Sequence, residues 1–423
     1  MKTWLLSAAV ASLAFGSQAV AQENLKIGVL YALSGPNAQL GVDSLAALKT
    51  VVDIVNEGAD LPLPLAKGGG LPGLKGGKIE LVVADHQGKP DVGQSEAERL
   101  IAQEKVNVLL GGIMSSVSAP ISQVSERAAV PFVNGSSSAP SLTNRGFQYF
   151  FRTTPHDEHF VRFQFDFLKD FEKLYGKKIE TVAILNEDSA LGSDSARVQN
   201  RVAKERGVKV LESISYKVQT PSLTSEVQRL KAANADVVLQ TGFTADSILL
   251  YKTAKDLDYN PPLVIAQGAG FVDPSFLKTL GRDAEGAITR SPFNGDLAQR
   301  FPLIAKVQEL FKKHSNGREL TDIPAREFTS IYVLLDAVNR AGSVEPEKIR
   351  AALAATDLPS DQLVVPYEGV KFDQTGQNVK ARSIMIQVQN GKYCTFYPAE
   401  LAVCKLVYPA PNWAQKAAQD AKL

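Results

Sequence analysis

Short β-rich runs alternate with longer amphipathic runs through most of this chain, and that alternation narrows its possible folds more than any other feature. "LKIGVLYAL" reads as a strand, 43–56 as a helix, "IELVVAD" as a strand, 91–104 as a helix, "VNVLLGG" as a strand, 118–128 as a helix and "VPFVNG" as a strand. Strands that follow one another through helices need crossovers, so the sheet is parallel with helices on both faces. After "GFQYFFRTTPHDEHF" the rhythm restarts with "ETVAILNED", a helix over 193–206, "VKVLESISY", a helix over 222–233, "ADVVLQTG", a helix over 245–257, "PPLVIAQG" and a short helix after Pro274. The pattern predicts an α/β protein of two doubly wound parallel-sheet lobes. Helices over 297–314, 325–341 and 345–355 come after the second sheet is complete and are free to return to the first lobe.

The amino terminus bears on compartment. Met1 and Lys2 precede the apolar run "WLLSAAVASLAFG", and "AVA" at Ala19 to Ala21 has the small-x-small form of a cleavage site, so 1–21 reads as a signal peptide. A spanning anchor needs roughly 20 apolar residues, and this run is shorter and interrupted. The expected destination is the periplasm. There the two cysteines, Cys394 and Cys404, are expected to form a disulfide. Basic and acidic residues nearly cancel, 46 against 45. No nucleic-acid or acidic-membrane footprint arises from such a balance, which points to a small-molecule partner.

Ligands of open parallel sheets sit beyond the carboxyl ends of the strands, where loops converge and helix amino termini present free N–H groups. Two serine clusters fall there, "GGIMSSVSAP" and "NGSSSAP". Ser115 and Ser116 stand just before a helix and are placed to receive a carboxylate. Gly135 admits close approach of the backbone, and Ser136 to Ser138 offer hydroxyls that donate and accept. A serine hydrolase would need a partnered base and commonly a Gly-x-Ser-x-Gly elbow, which is absent. "HDEH" could set His156 and His159 on one helical face as metal ligands. The simpler reading is a helix start with Thr154 as cap, Pro155 in the first position, Asp157 closing a box and both histidines exposed. The glycine-rich insert 61–78 lacks phosphate-loop spacing and reads as a surface loop. No cofactor is called for.

Over nearly the whole chain past 1–21, "IGVLYALSGPNAQLG", "VVADHQGKPDVGQSEAERLI", "GGIMSSVSAPISQVSERAAVPFVNGSSSAPSLT", "YFFRTTP", "ILNEDSALGSDSA" and "LKAANADVVLQTGF", in this order, resemble the periplasmic leucine/isoleucine/valine-binding family of ABC-transporter substrate-binding proteins. The resemblance implies a three-crossing hinge, with crossings near 153–157, 291–295 and 365–371, and a ligand trapped in the cleft between lobes. It divides the chain into 22–153 plus 296–365 as lobe 1, 154–295 plus 366–400 as lobe 2, and 401–423 as a C-terminal extension. It implies a monomeric, non-enzymatic receptor that hands its ligand to an inner-membrane permease. The same fold would also serve a sensing receptor for amides or other small molecules.

Carried over by motif, the family's ligand-holding positions are Ser115, Ser116, Ser136 and Ser138, and these keep its chemistry. Departures follow at Leu40, Leu191 and Phe243, where the family carries aromatic or hydroxylated residues, and at Ala269, where its acidic partner for the ligand's ammonium would fall. An enclosed ammonium without a countercharge costs several kcal/mol. The expected ligand therefore bears a carboxylate and lacks an α-amino group, unless Glu187, Asp188 or Asp246 supplies the charge. An amino acid, an aromatic or aliphatic acid, and an amide all remain open at this point.

Overall fold

A computed structural model describes residues 23–420, apart from the side chains at 269, 419 and 420. The expected signal peptide lies outside the described residues. No helix among the described residues is long and apolar enough to cross a membrane.

The first lobe runs β1 (Leu25–Tyr31), α1 (Ala38–Asn56), β2 (Ile79–Asp85), α2 (Pro90–Ala102), β3 (Val108–Gly111), α3 (Ser115–Ala128), β4 (Phe132–Asn134) and β5 (Phe150–Arg152). Its sheet has the order β2-β1-β3-β4-β5, parallel throughout. The second lobe runs α4 (Asp157–Tyr175), β6 (Thr181–Glu187), α5 (Ala190–Glu205), β7 (Lys209–Tyr216), α6 (Thr224–Ala233), β8 (Val237–Thr241), α7 (Thr244–Asp256), β9 (Val264–Ala266), α8 (Pro274–Leu280) and β10 (Ile288–Ser291). Then come α9 (Pro302–His314), α10 (Asp322–Ala341), α11 (Pro346–Ala354), β11 (Asp357–Pro359), β12 (Gly369–Lys371), β13 (Ile384–Gln389), β14 (Lys392–Tyr397) and α12 (Trp413–Asp420). The second sheet has the order β14-β13-β10-β9-β8-β6-β7, its parallel part extended by the antiparallel pair β13 and β14.

β1 and β6 are buried along nearly their whole length, as strands with helices on both faces must be, and this explains their continuous apolar runs. α9, α10 and α11 leave the second lobe and pack back on α1 and on one another. α10 is buried on nearly every side, and Phe328, Ile331, Leu334 and Val338 join Val51, Ile54 and Val55 of α1 in one core.

Several local expectations are corrected. α9 does not begin at 297: Gly295–Gln299 is a separate 3-10 turn, and Pro302 at the first position of α9 disfavours helical geometry in the residue before it. α4 begins at Asp157 with His156 as its cap, Nδ1 accepting the Glu158 N–H at 3.1 Å. The two histidines are half-buried and stacked, ring centroids 4.2 Å apart. Burial lowers the pKa of His156 to about 2 and that of His159 as well, so neither imidazole carries charge at neutral pH. No group of three metal-ligating side chains occurs among the described residues.

The insert 61–78 is more than a surface loop. It buries Leu63, Leu65, Leu71 and Leu74, and the Gly73 N–H donates to Asn339 Oδ1 on α10 at 2.7 Å. A Cβ on Gly73 would meet the Asn339 carbonyl oxygen at 2.0 Å, which accounts for glycine there. Cys394 and Cys404 form a disulfide that ties β14 to the segment after it. α12 docks on the second lobe: Trp413 Nε1 donates to the Tyr259 carbonyl at 2.9 Å, and Lys416 lies over the Trp413 ring.

Candidate functional site

The strand orders place the site. In the first sheet the chain moves outward one way from β1 to β2 and the other way from β3 to β5, so the loops after β1 and β3 part and leave a crevice. In the second sheet the same divergence occurs between β6 and β8. Leu40 follows β1, Ser115 follows β3, Leu191 follows β6 and Phe243 follows β8. These four, with Ser136 and Ser138 after β4, line one cavity between the lobes. Ser116 is half-buried and does not line it. Ala269 opens a 3-10 turn after β9, and its side chain lies outside the described part.

The remaining space is narrow: about 20 Å³ admits the centre of a water molecule, within about 360 Å³ free of atoms. That space is smaller than a molecule the size of an amino acid.

On the first-lobe side, α3 starts at Ser115 with Met114 as N-cap and no capping side chain, so the first N–H groups have no side-chain acceptor. Ser115 Oγ accepts the Ala139 N–H at 3.3 Å. Ser136 donates to Glu327 Oε1, whose other oxygen accepts the Tyr31 hydroxyl at 2.7 Å. Glu327 is fully buried, and burial raises the pKa of its carboxyl. A Cβ on Gly135 would sit 2.8 Å from that carboxyl, so only glycine fits the turn. Ser137 turns away from the cleft, donating to the Gly112 carbonyl and meeting Ser118 at 2.8 Å.

Arg152, at the end of β5 and fully buried, holds this loop in shape. Nη1 donates to the carbonyls of Ala139 at 2.7 Å and Ser137 at 3.2 Å, Nη2 to Thr143 Oγ1 at 2.8 Å, and Nε to Gln377 Oε1 at 2.7 Å.

Ile113, Arg290, Ile323 and Arg326 also line the cavity and were not singled out from sequence. Arg326, on α10, pairs with Asp322 Oδ2 at 2.5 Å and donates to the Ser136 carbonyl and Thr154 Oγ1, both at 3.3 Å. Arg290, near the carboxyl end of β10, has its Cζ over the Phe160 ring, 3.4 Å from the centroid. Burial lowers its pKa to about 9, so it remains protonated at neutral pH. The signal available in sequence was an arginine inside an otherwise uncharged strand, "ITRS", and another beside the buried start of an apolar helix.

None of the alternative carboxylates named above lines the cavity. Glu187 accepts the N–H groups of Ser189 and Gly192 at the start of α5, Asp188 that of Val218 and Asp246 that of Phe243. Among the described residues no carboxylate side chain lines the cavity, whereas two guanidinium groups do. A larger cavity of about 330 Å³, lined in part by Tyr259, Pro262, Pro409 and Trp413 near α12, shares no residue with the cleft.

Two α/β lobes with a polar-edged cleft at facing switch points define a two-lobed binding protein. The chain belongs to the periplasmic binding protein family, whose model matches residues 24–392. It is 31% identical over 420 residues to Leu/Ile/Val-binding protein homolog 7 of Brucella abortus (strain 2308), covering 97% of this chain and 100% of that one. Among solved structures it resembles the branched-chain amino acid transporter substrate-binding protein LivJ of Streptococcus pneumoniae in complex with isoleucine, at TM-score 0.72 and 18% identity, covering 88% of this chain and 98% of that one. It also resembles a solute-binding protein of an ABC transporter from Rhodopseudomonas palustris BisB5 in complex with 3,4-dihydroxybenzoic acid, at TM-score 0.72 and 20% identity, covering 92% and 99%.

Proposed function

We propose that this protein is the extracytoplasmic solute receptor of an ABC importer, taking up a small carboxylate-bearing ligand as the lobes close and delivering it, unaltered, to a membrane permease. Closure needs no cofactor, because a ligand that contacts both lobes favours the closed form by those contacts alone. The observation that carries the reading is a cleft lined by both lobes, edged by Ser115, Ser136 and Ser138, and containing, among the described residues, arginines but no carboxylate side chain.

That charge pattern favours an acid without an α-amino group over an amino acid, since among the described side chains that line the cavity there are two guanidinium groups and no carboxylate to receive an ammonium. The relatives leave both classes open: the Brucella proteins are named for leucine, isoleucine and valine, and one structural neighbour holds an aromatic acid. Turnover lacks support, because the described hydrogen bonds of the histidines include none to a cleft serine.

Calorimetric titration with leucine and with 4-methylpentanoate, the same skeleton without the amino group, tests the ligand class. The acid is expected to bind at least about 100-fold more tightly, the scale of an uncompensated buried charge. Tight binding of leucine, with the acid weaker, overturns the acid reading.

A further inference from the structure

We infer that the cavity beside α12 is a second small-molecule site, separate from the cleft, for a compact, neutral, largely apolar molecule with one hydrogen-bonding oxygen, such as a cyclic ketone or alcohol. The inference does not depend on what the cleft holds. The cavity, about 330 Å³, falls at the lower end of the roughly 300–1,000 Å³ range of small-molecule sites. One wall belongs to the second lobe, with Leu250, Tyr251 and Ala254 of α7 and Leu263 before β9, and the other to the segment after the disulfide, with Pro409 and Pro411.

That segment is fastened in place. The Trp413 backbone N–H donates to Asn260 Oδ1 at 3.0 Å, and its Nε1 to the Tyr259 carbonyl at 2.9 Å. Gly286 lies beside it at φ +81, where a Cβ would come within 2.6 Å of the Ala410 Cβ, so glycine lets the two stretches of chain pass closely.

Two observations define the occupant. Tyr259 lines the cavity and is 6% exposed, and its hydroxyl is buried without a hydrogen-bond partner among the described residues. Such a group is costly to leave unpaired, and an oxygen on a ligand relieves that cost. The charged groups, by contrast, are already set against one another. Lys416 Nζ donates to the Asp283 carbonyl at 2.9 Å and stands 4.3 Å from the Trp413 ring centroid. Burial lowers the pKa of Lys416 to about 8, while the carboxylates of Asp283 and Glu285 favour its charged form. Glu285 accepts the N–H groups of Asn390 and Gly391, and Asp283 pairs with Lys255 at 2.8 Å. An ionic ligand of either sign would meet a like charge and lose its hydration, which a neutral one avoids.

Tryptophan emission reads this site, because Trp413 is the only tryptophan in 22–423 and Trp4 falls in the expected signal peptide. The test titrates the exported protein with 4-methylcyclohexanone, methylcyclohexane and 4-methylcyclohexylammonium while following that emission. Ketone and hydrocarbon are expected to shift it saturably, and the ammonium to bind at least about 10-fold more weakly than the ketone. Tyr259→Phe is expected to weaken the ketone about 5-fold and to leave the hydrocarbon unchanged, since one hydrogen bond is at stake. Ala254→Leu, which fills the cavity, is expected to abolish both shifts. No saturable shift with any probe would mean a cavity that holds water only, and overturns the site. A ketone indifferent to Tyr259→Phe overturns the hydrogen-bonding oxygen, and an ammonium bound as tightly as the ketone overturns the neutral class. Shifts that survive Ala254→Leu put the binding elsewhere and overturn the site. Should Ala254→Leu not fold, Tyr259→Phe, which removes no hydrogen bond from the described protein, decides the matter.

Discussion

Replacing Arg152 with methionine is expected to cost the folded state on the order of 3 to 5 kcal/mol, the scale for losing one side of a buried charged network. Methionine fills most of the volume but donates nothing. The carbonyls of Ser137 and Ala139, Thr143 Oγ1 and Gln377 Oε1 all lose their shared donor in a place where water is excluded. Because the first two belong to the "GSSSAP" loop, the loss is expected to reach the cleft as well as the core. Denaturant unfolding measures it: the midpoint falls with little change in slope. A loss below about 1 kcal/mol would show that Arg152 is not what holds the loop.

The second large effect is on binding. Ser115→Asp puts a carboxylate at the first position of α3, where the helix dipole favours it and burial opposes it, so thermal unfolding checks that the variant is folded before binding is read. The same carboxylate occupies the place proposed for the ligand's own and repels it. Affinity for any acid ligand is expected to drop by about 100-fold or more, since juxtaposed like charges cost several kcal/mol. An unchanged affinity in a folded variant would remove the α3 start from the ligand site.

The order of strands and helices was legible because its physical basis is local. Periods of two and 3.6 report burial, and doubly wound sheets bury nearly every strand on both faces. Boundaries were harder. α1 starts at Ala38 rather than Asp43, because Asn37 makes no side-chain cap and "SGPNAQ" reads as a turn. β5 was missed because it is three residues long and ends on an arginine that looks solvent-facing until Gln377 closes over it.

In the cleft, the serines after β3 and β4 were legible as strand-end polar clusters. Arg290 and Arg326 were not, since an arginine's burial depends on which side chains a second lobe and a returning helix bring to it. That Ser116 falls beside the cavity and Ser137 turns inward likewise depends on the rotation of a loop held by Asn134 and Arg152.

The claim at the centre of this account is that the cleft holds a small acid lacking an ammonium group. Native mass spectrometry of the protein, purified without unfolding from the cells that export it, reads this directly through the mass of whatever is released on activation. The account predicts a carboxylic acid without an amino group, present in the folded protein and lost from Ser115→Asp. Release of leucine, isoleucine or valine, retained by that variant, would contradict it.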